Sequence, residues 1–430
     1  MSVGAILGGD RRRPGIPPEL LGRVLLVWLL ITALMLAANA MAIWQVRLPS
    51  SADALRLSQV RELIAGQGWF DPAGRSRLVD LPLAAVILAL APLFGQAAAE
   101  LAALVVVPVL TLGCVLLLVG RIAYRLFDEE VAGLAGLACA VAVPLAQQLR
   151  PMRIDDLGWQ VVAMLFAANG LMARDARRGG WAIGGALAVW LAISLEGLPL
   201  AVCFVAVTAL KWLRCRADRW WMAHTLSALA VGSALLLAAT RGFGEASQAC
   251  DAVSPMHLAA FAWAAGVSWL NAWLEPHPKA FTLVGMGLAV AGAVSIVWTA
   301  APQCAGAGFF GGSPVWVGGP TGVLQALALP ALALLAVARL LGPARDWLWR
   351  WWVDYALLLA AALVIAVFAA RGSAVACALA AVPVGAQLRE WIRAARNSRV
   401  AGRRVLVLAG ISLALAPAVP LSLLVMATPG

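Results

Sequence analysis

The sequence predicts an all-α polytopic membrane protein, and three observations carry that reading. Of its 430 residues 63% are apolar and 12% charged, where soluble domains average about 45–50% and about 25%. Its mean hydropathy is +0.89. Apolar runs long enough to approach a membrane crossing recur from one end to the other. A water-soluble enzyme is excluded by that composition. The formal charge of +11 would suggest nucleic acid in a soluble protein, but here the basic residues lie in short loops between apolar runs. All of them are Arg except Lys211 and Lys279, and no basic run alternates with aromatics, so nucleic acid is not a partner.

The first apolar run, 24–43, matches the ~30 Å hydrocarbon core. Ala38, Asn39 and Ala40 imitate a signal-peptidase site, yet the run exceeds a signal-peptide core and reads as an uncleaved anchor. Arg11, Arg12, Arg13 and Arg23 precede it and place the N-terminus in the cytoplasm. Further runs follow at 81–95, 99–120, 131–148, 159–173, 181–195, 197–210 and 222–239, then at 258–274, 281–300, 322–341, 355–370, 374–388 and 405–427. They predict about 12–13 transmembrane helices. The run 81–95 is short and carries Pro82 and Pro92, so it is expected to be a hairpin arm rather than a full crossing. With it discounted, 23 of the 32 basic residues fall on the cytoplasmic side, as the positive-inside rule requires. No soluble domain fits between the runs, so function must be built from the loops and the helix ends beside them.

Residues 49–70 hold the first candidate. Ser50 or Ser51 can cap a helix with Leu57, Val60, Leu63 and Ile64 on one face and Gly66 as terminator, lying on the membrane surface. Asp53 stands where the helix dipole favours a carboxylate, and Arg56 and Arg61 are expected to project nearby. The structural alternative is a solvated amphipathic face. The second candidate is 147–160, where Arg150, Arg153, Asp155 and Asp156 crowd the mouth of a membrane helix. Such charges are costly there unless paired or functional. An interfacial salt-bridge cluster beside Trp159 is the alternative. Glu196, flanked by Gly197 and Pro199 between two short runs, is either a turn residue or a cavity residue.

Cys250 and Cys304 are the two cysteines in outward loops and form a disulfide candidate. The remaining five sit in apolar runs or a cytoplasmic loop. With only His224, His257 and His277 and no ligand spacing, a dedicated zinc site is not expected. Trp347, Trp349, Trp351 and Trp352 read as an interfacial anchor. The glycine-rich stretch 311–321 reads as a flexible outer loop able to close over an acceptor.

Taken in order, these features resemble the GT-C superfamily of membrane glycosyltransferases that use polyprenyl-phosphate sugar donors. The segment from Asp53 through Arg61, Glu62, Gly66 and Trp69 is similar to the first outer loop of that superfamily, an Asp opening a juxtamembrane helix that ends A-R-E-M-x-x-G-x-W. Asp80, Leu81, Pro82 and Leu83 resemble its K-P-P-L segment, and 121–127 its R-R-L-F-G turn. Arg153, Ile154, Asp155 and Asp156 fall where it carries L-T-D or F-D-T-D, and 194–199 where it carries T-K-G-P. The resemblance covers roughly the first 210 residues. It extends to the protein mannosyltransferase, aminoarabinose transferase and oligosaccharyltransferase families without choosing among them. Ala54 replaces the second acid of the mannosyltransferases, Glu196 replaces a lysine, and the W-W-D-Y-G motif of the oligosaccharyltransferases does not occur.

The resemblance implies a cytoplasmic tail 1–23, a catalytic transmembrane module 24–211 with outer loop 44–98, and a variable C-terminal module 212–430. It implies transfer of a sugar to a lipid, glycan or protein acceptor at the periplasmic face of a bacterial inner membrane. Asp53 would be the general base, and Asp155 with Asp156 would orient the acceptor. Asp53 and Asp155 would hold Mg²⁺ or Mn²⁺ if a metal is used. Arg56, Arg61, Arg75, Arg77, Arg150 and Arg153 form the pool of phosphate binders, with Glu196 in the substrate cavity. Two other classes compete: a lipid or sugar transporter or flippase, favoured by the interrupted helices around Glu196, and a noncatalytic scaffold of the same fold.

Overall fold

The computed structural model describes residues 17–66, 69–70, 77–241, 250, 252–275, 278–302, 313–398 and 401–415. Its regular structure, among the described residues, is helical. In chain order the helices are α1 (Pro18–Ala38), α2 (Ala40–Trp44), α3 (Ser51–Ile64), α4 (Asp80–Phe94), α5 (Gln96–Leu126) and α6 (Glu129–Val141). There follow α7 (Val143–Leu149), α8 (Leu157–Gly170), α9 (Ala176–Ile193), α10 (Leu198–Arg214), α11 (Trp220–Thr240) and α12 (Pro255–Trp273). The chain then forms α13 (Lys279–Ala300), α14 (Gly319–Leu341), α15 (Asp346–Phe368), α16 (Gly372–Asn397) and α17 (Ala401–Leu415).

Among the described residues nine helices are long and apolar enough to cross a membrane, or ten if the bent α6–α7 pair is one span. The expected runs are helical, but not all become crossings. The run 131–148 splits into α6 and α7, bent by 78°. Pro144 has no N–H to continue the ladder to the Ala140 carbonyl and sits in the first turn of α7, and Ala142 between the two helices is extended (φ −64°, ψ 109°). At 14 residues α8 is shorter than a ~30 Å core requires. Arg177 and Arg178 in α9, and His257, Ser268 and Asn271 in α12, make those two helices less apolar. The run 81–95, expected as a hairpin arm, joins a 3₁₀ turn (Arg77–Val79) to α4 as an 18-residue helical stretch that meets the length and hydropathy of a span. Gly95 (φ 81°), a conformation that favours glycine, ends α4 and turns the chain directly into the 31-residue α5.

The chain divides into two compact units. The first comprises 1–45, 108–151 and 312–430, and the second 46–107 and 152–311. In the first, α16 is the central helix, buried along most of its length and packed against α6, α14 and α15. A Cβ on Gly385 would lie 2.7 Å from the Ala135 backbone, so glycine lets α16 and α6 approach closely. Pro383 lacks the N–H that would bond the Leu379 carbonyl one turn back. The Tyr355 hydroxyl donates to that carbonyl instead. Trp351 and Trp352, expected as interfacial anchors, are buried against Tyr355, with Trp351 stacked on its ring at 4.8 Å. Only Trp347 and Trp349 of that cluster are exposed.

In the second unit α9 and α11 pack most intimately. A side chain on Gly184 would overlap the Thr225 carbonyl oxygen, and one on Gly180 the His224 Cβ. Small residues at four-residue spacing thus bring two backbones into contact, the packing mode available in lipid where burial of apolar surface drives little. Against this pair lie α8 and α12, and α13 packs on α12 with Asn271 Nδ2 donating to the Thr282 carbonyl at 3.0 Å. Cys250 is disulfide-bonded. Cys304, its candidate partner from the sequence, lies outside the described residues, as do Arg75, Gly311 and Gly312; the rest of the stretch 311–321, expected as a flexible outer loop, forms a 3₁₀ turn (Val315–Gly318) and the first turn of α14. The other five cysteines are free.

Candidate active site

The site belongs to the second unit and begins at the first turn of α3. Ser50 is the N-cap, in extended backbone, and its hydroxyl oxygen accepts from the Asp53 N–H at 3.3 Å. The same hydroxyl donates to Asp53 Oδ2 at 2.7 Å. One serine therefore both starts the helix and fixes the carboxylate three residues on. The buried face of α3 is Asp53, Arg56, Leu57 and Val60, an i, i+3, i+4, i+7 stripe. Half of that stripe is charged, which is why hydropathy alone reads the buried face as Leu57, Val60, Leu63 and Ile64.

A second segment meets Asp53. Ile154 N–H donates to Asp53 Oδ1 at 3.0 Å, and Arg153 Nη1 donates to Oδ2 at 3.3 Å. The other end of the same guanidinium, Nη2, donates to Asp155 Oδ2 at 3.1 Å. Asp155 Oδ1 accepts the Asp156 N–H at 2.8 Å. Asp53 is wholly buried, Asp155 is 8% exposed and Arg153 17%, so the guanidinium is the most accessible part of the triad.

What holds this second segment in place is a proline. Pro108 inside α5 has no N–H for the Leu104 carbonyl, and Met152 N–H donates to that oxygen at 2.9 Å. Met152 adopts φ 71° and is fully buried. A non-glycine residue there costs of order 1–3 kcal/mol and persists only where its surroundings over-determine it. From Met152 the chain runs directly into Arg153, Ile154 and Asp155.

Asp156 continues the network inward. Gln160 Nε2 donates to Asp156 Oδ2 at 3.2 Å, and Trp190 Nε1 donates to Gln160 Oε1 at 3.0 Å. Gln160 and Trp190 are both buried, so these bonds satisfy groups that would otherwise be costly there. A Cβ on Gly197 would overlap the Trp190 ring, and Gly197 closes the 3₁₀ turn that carries half-buried Glu196. The Glu196 turn, Trp190, Gln160 and Asp156 are thus mechanically linked.

The remaining arginines go elsewhere. Arg56, expected to project, is buried, and its Nη1 donates to Asp80 Oδ1 at 3.0 Å. Arg77 Nη1 lies 3.6 Å from Asp80 Oδ2 and donates to the Gln59 carbonyl. The reason is electrostatic: a lone carboxylate at the head of α4 needs partners once buried, and two guanidinium groups supply them. Arg61 is exposed and bidentate to Glu100, at 3.1 and 2.6 Å. That bonding raises its pKa above the ordinary guanidinium value. Arg150 belongs to the first unit, after α7, with its Nε buried and without a hydrogen-bond partner among the described residues. Glu100, Gln160 and Trp190 are not singled out by the sequence, and Asp80 enters there only as the first residue of the segment resembling K-P-P-L. Asp80 was the most findable, a single acid opening an apolar run in an arginine-rich chain.

The Asp53–Asp155 pair, expected to hold Mg²⁺ or Mn²⁺, does not fit a divalent ion as it stands. Each of the four oxygens of the pair already accepts a hydrogen bond, and a guanidinium lies between the two carboxylates. Among the described residues no cluster of three or more His, Cys, Asp or Glu side chains could hold a metal.

No family model matches the chain, and no curated protein matches it by sequence. Solved structures do match in fold. The apo crystal structure of an Archaeoglobus fulgidus oligosaccharyltransferase aligns with TM-score 0.65 at 16% identity, over 93% of this chain and 55% of that one. The archaeal oligosaccharyltransferase AglB from Archaeoglobus fulgidus, in complex with an inhibitory peptide and a dolichol-phosphate, aligns with TM-score 0.66 at 13% identity, over 92% and 54%. The Archaeoglobus fulgidus enzyme in complex with Zn and sulfate aligns with TM-score 0.63 at 16% identity, over 91% and 53%. This chain spans about half the length of those proteins. The likeness is one of fold: the chain is an all-α polytopic membrane protein with a GT-C-like fold.

Proposed function

We propose that the chain is an integral membrane glycosyltransferase, moving a sugar from a polyprenyl-phosphate donor to an acceptor hydroxyl. The observation that carries this reading is the Asp53–Arg153–Asp155 constellation, in which a capped, buried carboxylate and a second carboxylate share one partly exposed guanidinium. Transfer of this kind needs a base at the acceptor and a cation at the departing phosphate.

In this reading the partly exposed Arg153 side chain meets the donor phosphate, and that competition loosens its bond to Asp53. Asp53 then takes the acceptor proton as the acceptor oxygen attacks the anomeric carbon. The bond from that carbon to the phosphate oxygen breaks, and its electron pair leaves with the phosphate, neutralised by the guanidinium. Asp155 orients Arg153 and the acceptor, and Asp156, tied to Gln160, sets the angle of the segment. Arg56 and Arg77 serve by holding α3 to α4 through Asp80. Their cluster carries a net positive charge and begins one helical turn from Asp53. The catalytic module 24–211, the bacterial inner membrane, and the outer, periplasmic location of the chemistry belong to the same proposal. The distribution of basic residues along the sequence supports the outer location, and the module and the membrane follow from the resemblance of the first 210 residues. The acceptor class, whether lipid, glycan or protein, is left to the assay.

The test uses purified protein in liposomes with a panel of labelled undecaprenyl-phosphate sugars. Consumption of one donor, abolished in Asp53→Asn and Asp155→Asn while both variants stay folded and inserted, is the expected result. Equal turnover by wild type and both variants would remove these residues from the chemistry.

A further inference from the structure

We propose that Arg153 is the resident cation of this site: its guanidinium occupies the place between the Asp53 and Asp155 carboxylates that a divalent ion would need, and transfer proceeds on that guanidinium without a metal. The word transfer rests on the reading above; the occupancy of the carboxylate pair does not.

Three features carry the inference. First, Nη1 and Nη2 of one side chain each bond a different carboxylate, at 3.3 and 3.1 Å. The pair is bridged as a metal would bridge it. A hard divalent ion would need oxygens drawn in to about 2.0–2.2 Å and several further oxygen ligands. Second, the oxygens that would turn toward such an ion are already held by the Ser50 hydroxyl and by the N–H groups of Ile154 and Asp156. These donors hold the carboxylates in place but leave a lone pair on each oxygen, so the group an ion would have to displace is the guanidinium bonded to Asp53 Oδ2 and Asp155 Oδ2. Third, the Arg153 side chain is 17% exposed and carries a planar, delocalised cation with several N–H donors. It can therefore present N–H donors to a phosphate, which is the electrostatic service a bridging metal supplies.

The decisive experiment titrates Mn²⁺ into the purified full-length protein in nanodiscs and follows free Mn²⁺ by electron paramagnetic resonance. Wild type and Arg153→Lys, which keeps a cation between the acids, are expected to bind no Mn²⁺ at this pair. Arg153→Ala is expected to gain one site, which a second change, Asp53→Asn, removes. Stoichiometric Mn²⁺ binding by wild type that disappears in Asp53→Asn or Asp155→Asn would overturn the proposal. So would an Arg153→Ala protein that is folded by circular dichroism yet gains no site. In the donor assay, wild-type turnover is expected to change less than twofold in excess EDTA, and a loss of tenfold or more restored by Mn²⁺ would also overturn it. The binding readout needs no turnover, so a chain that transfers no sugar defeats the function proposed above while the Mn²⁺ titration still decides the role of Arg153.

Discussion

Arginines of one sequence class serve three different purposes here, and the energies separate them. Arg61 is exposed while its bidentate partner Glu100 is buried, so losing the carboxylate leaves the guanidinium in water at a cost of roughly 0–1 kcal/mol. Arg56 and Asp80 are both buried, and removing one partner of such a pair costs about 3–5 kcal/mol because a charge is stranded. Asp80→Ala is therefore expected to lower the thermal midpoint sharply, and Glu100→Ala to leave it nearly unchanged, when both are followed by the unfolding of protein in detergent. Comparable losses in the two variants would refute the assignment. For Asp53, the general base of the proposed reaction, the expected loss in Asp53→Asn is about 10²–10⁴-fold in turnover. Its binding of the labelled donor should survive, since Arg153 remains.

At the level of elements, prolines within helices decide where other parts of the chain attach. Pro108 releases the Leu104 carbonyl to Met152 N–H, and Pro383 releases the Leu379 carbonyl to the Tyr355 hydroxyl. Pro108→Ala restores a helical donor that competes with Met152. Donor turnover is expected to fall about tenfold, the equivalent of ~1.4 kcal/mol in the barrier, while the helical circular dichroism stays the same or rises. Unchanged turnover would show that the Met152 anchor does not position Arg153 and Asp155. The close contact of α9 and α11 makes a second element-scale case. Gly184→Val places branched carbons where the Thr225 carbonyl lies, and it is expected to shorten the thermal half-life severely; Gly185→Val, where a Cβ meets open space, is not.

For the whole molecule, the separating observable is sidedness. Single cysteines placed at residues 47 and 371 are expected to react with an impermeant maleimide added outside, and those at residues 178 and 350 only after the membrane is opened. This follows from the charge count, in which the loops assigned to the cytoplasm hold most of the arginine. Labelling of 47 and 178 from the same side would break the assigned topology, and with it the outer-face chemistry. The fold likeness to the archaeal oligosaccharyltransferases bears on architecture, since at 13–16% identity it carries no residue roles.

Membrane class, the succession of apolar helices, the capped α3 with Gly66 as its stop, and the acids Asp53 and Asp155 as candidates were all legible from the order of residues. Hydropathy, capping and charge cost are local properties, readable within a few turns of chain. What required the folded molecule was pairing. The bond from Arg153 to Asp53 joins residues 100 apart in sequence, and that from Arg56 to Asp80 joins residues 24 apart. Six arginines looked equivalent as phosphate binders because a positive charge in sequence does not declare its partner. The break at Ala142, the burial of Trp351 and Trp352, and the helical stretch ending at Phe94 were decided in the same way. Each depends on which carbonyl, carboxylate or ring the packing brings within reach, and those distances are properties of the assembled helices rather than of any one segment.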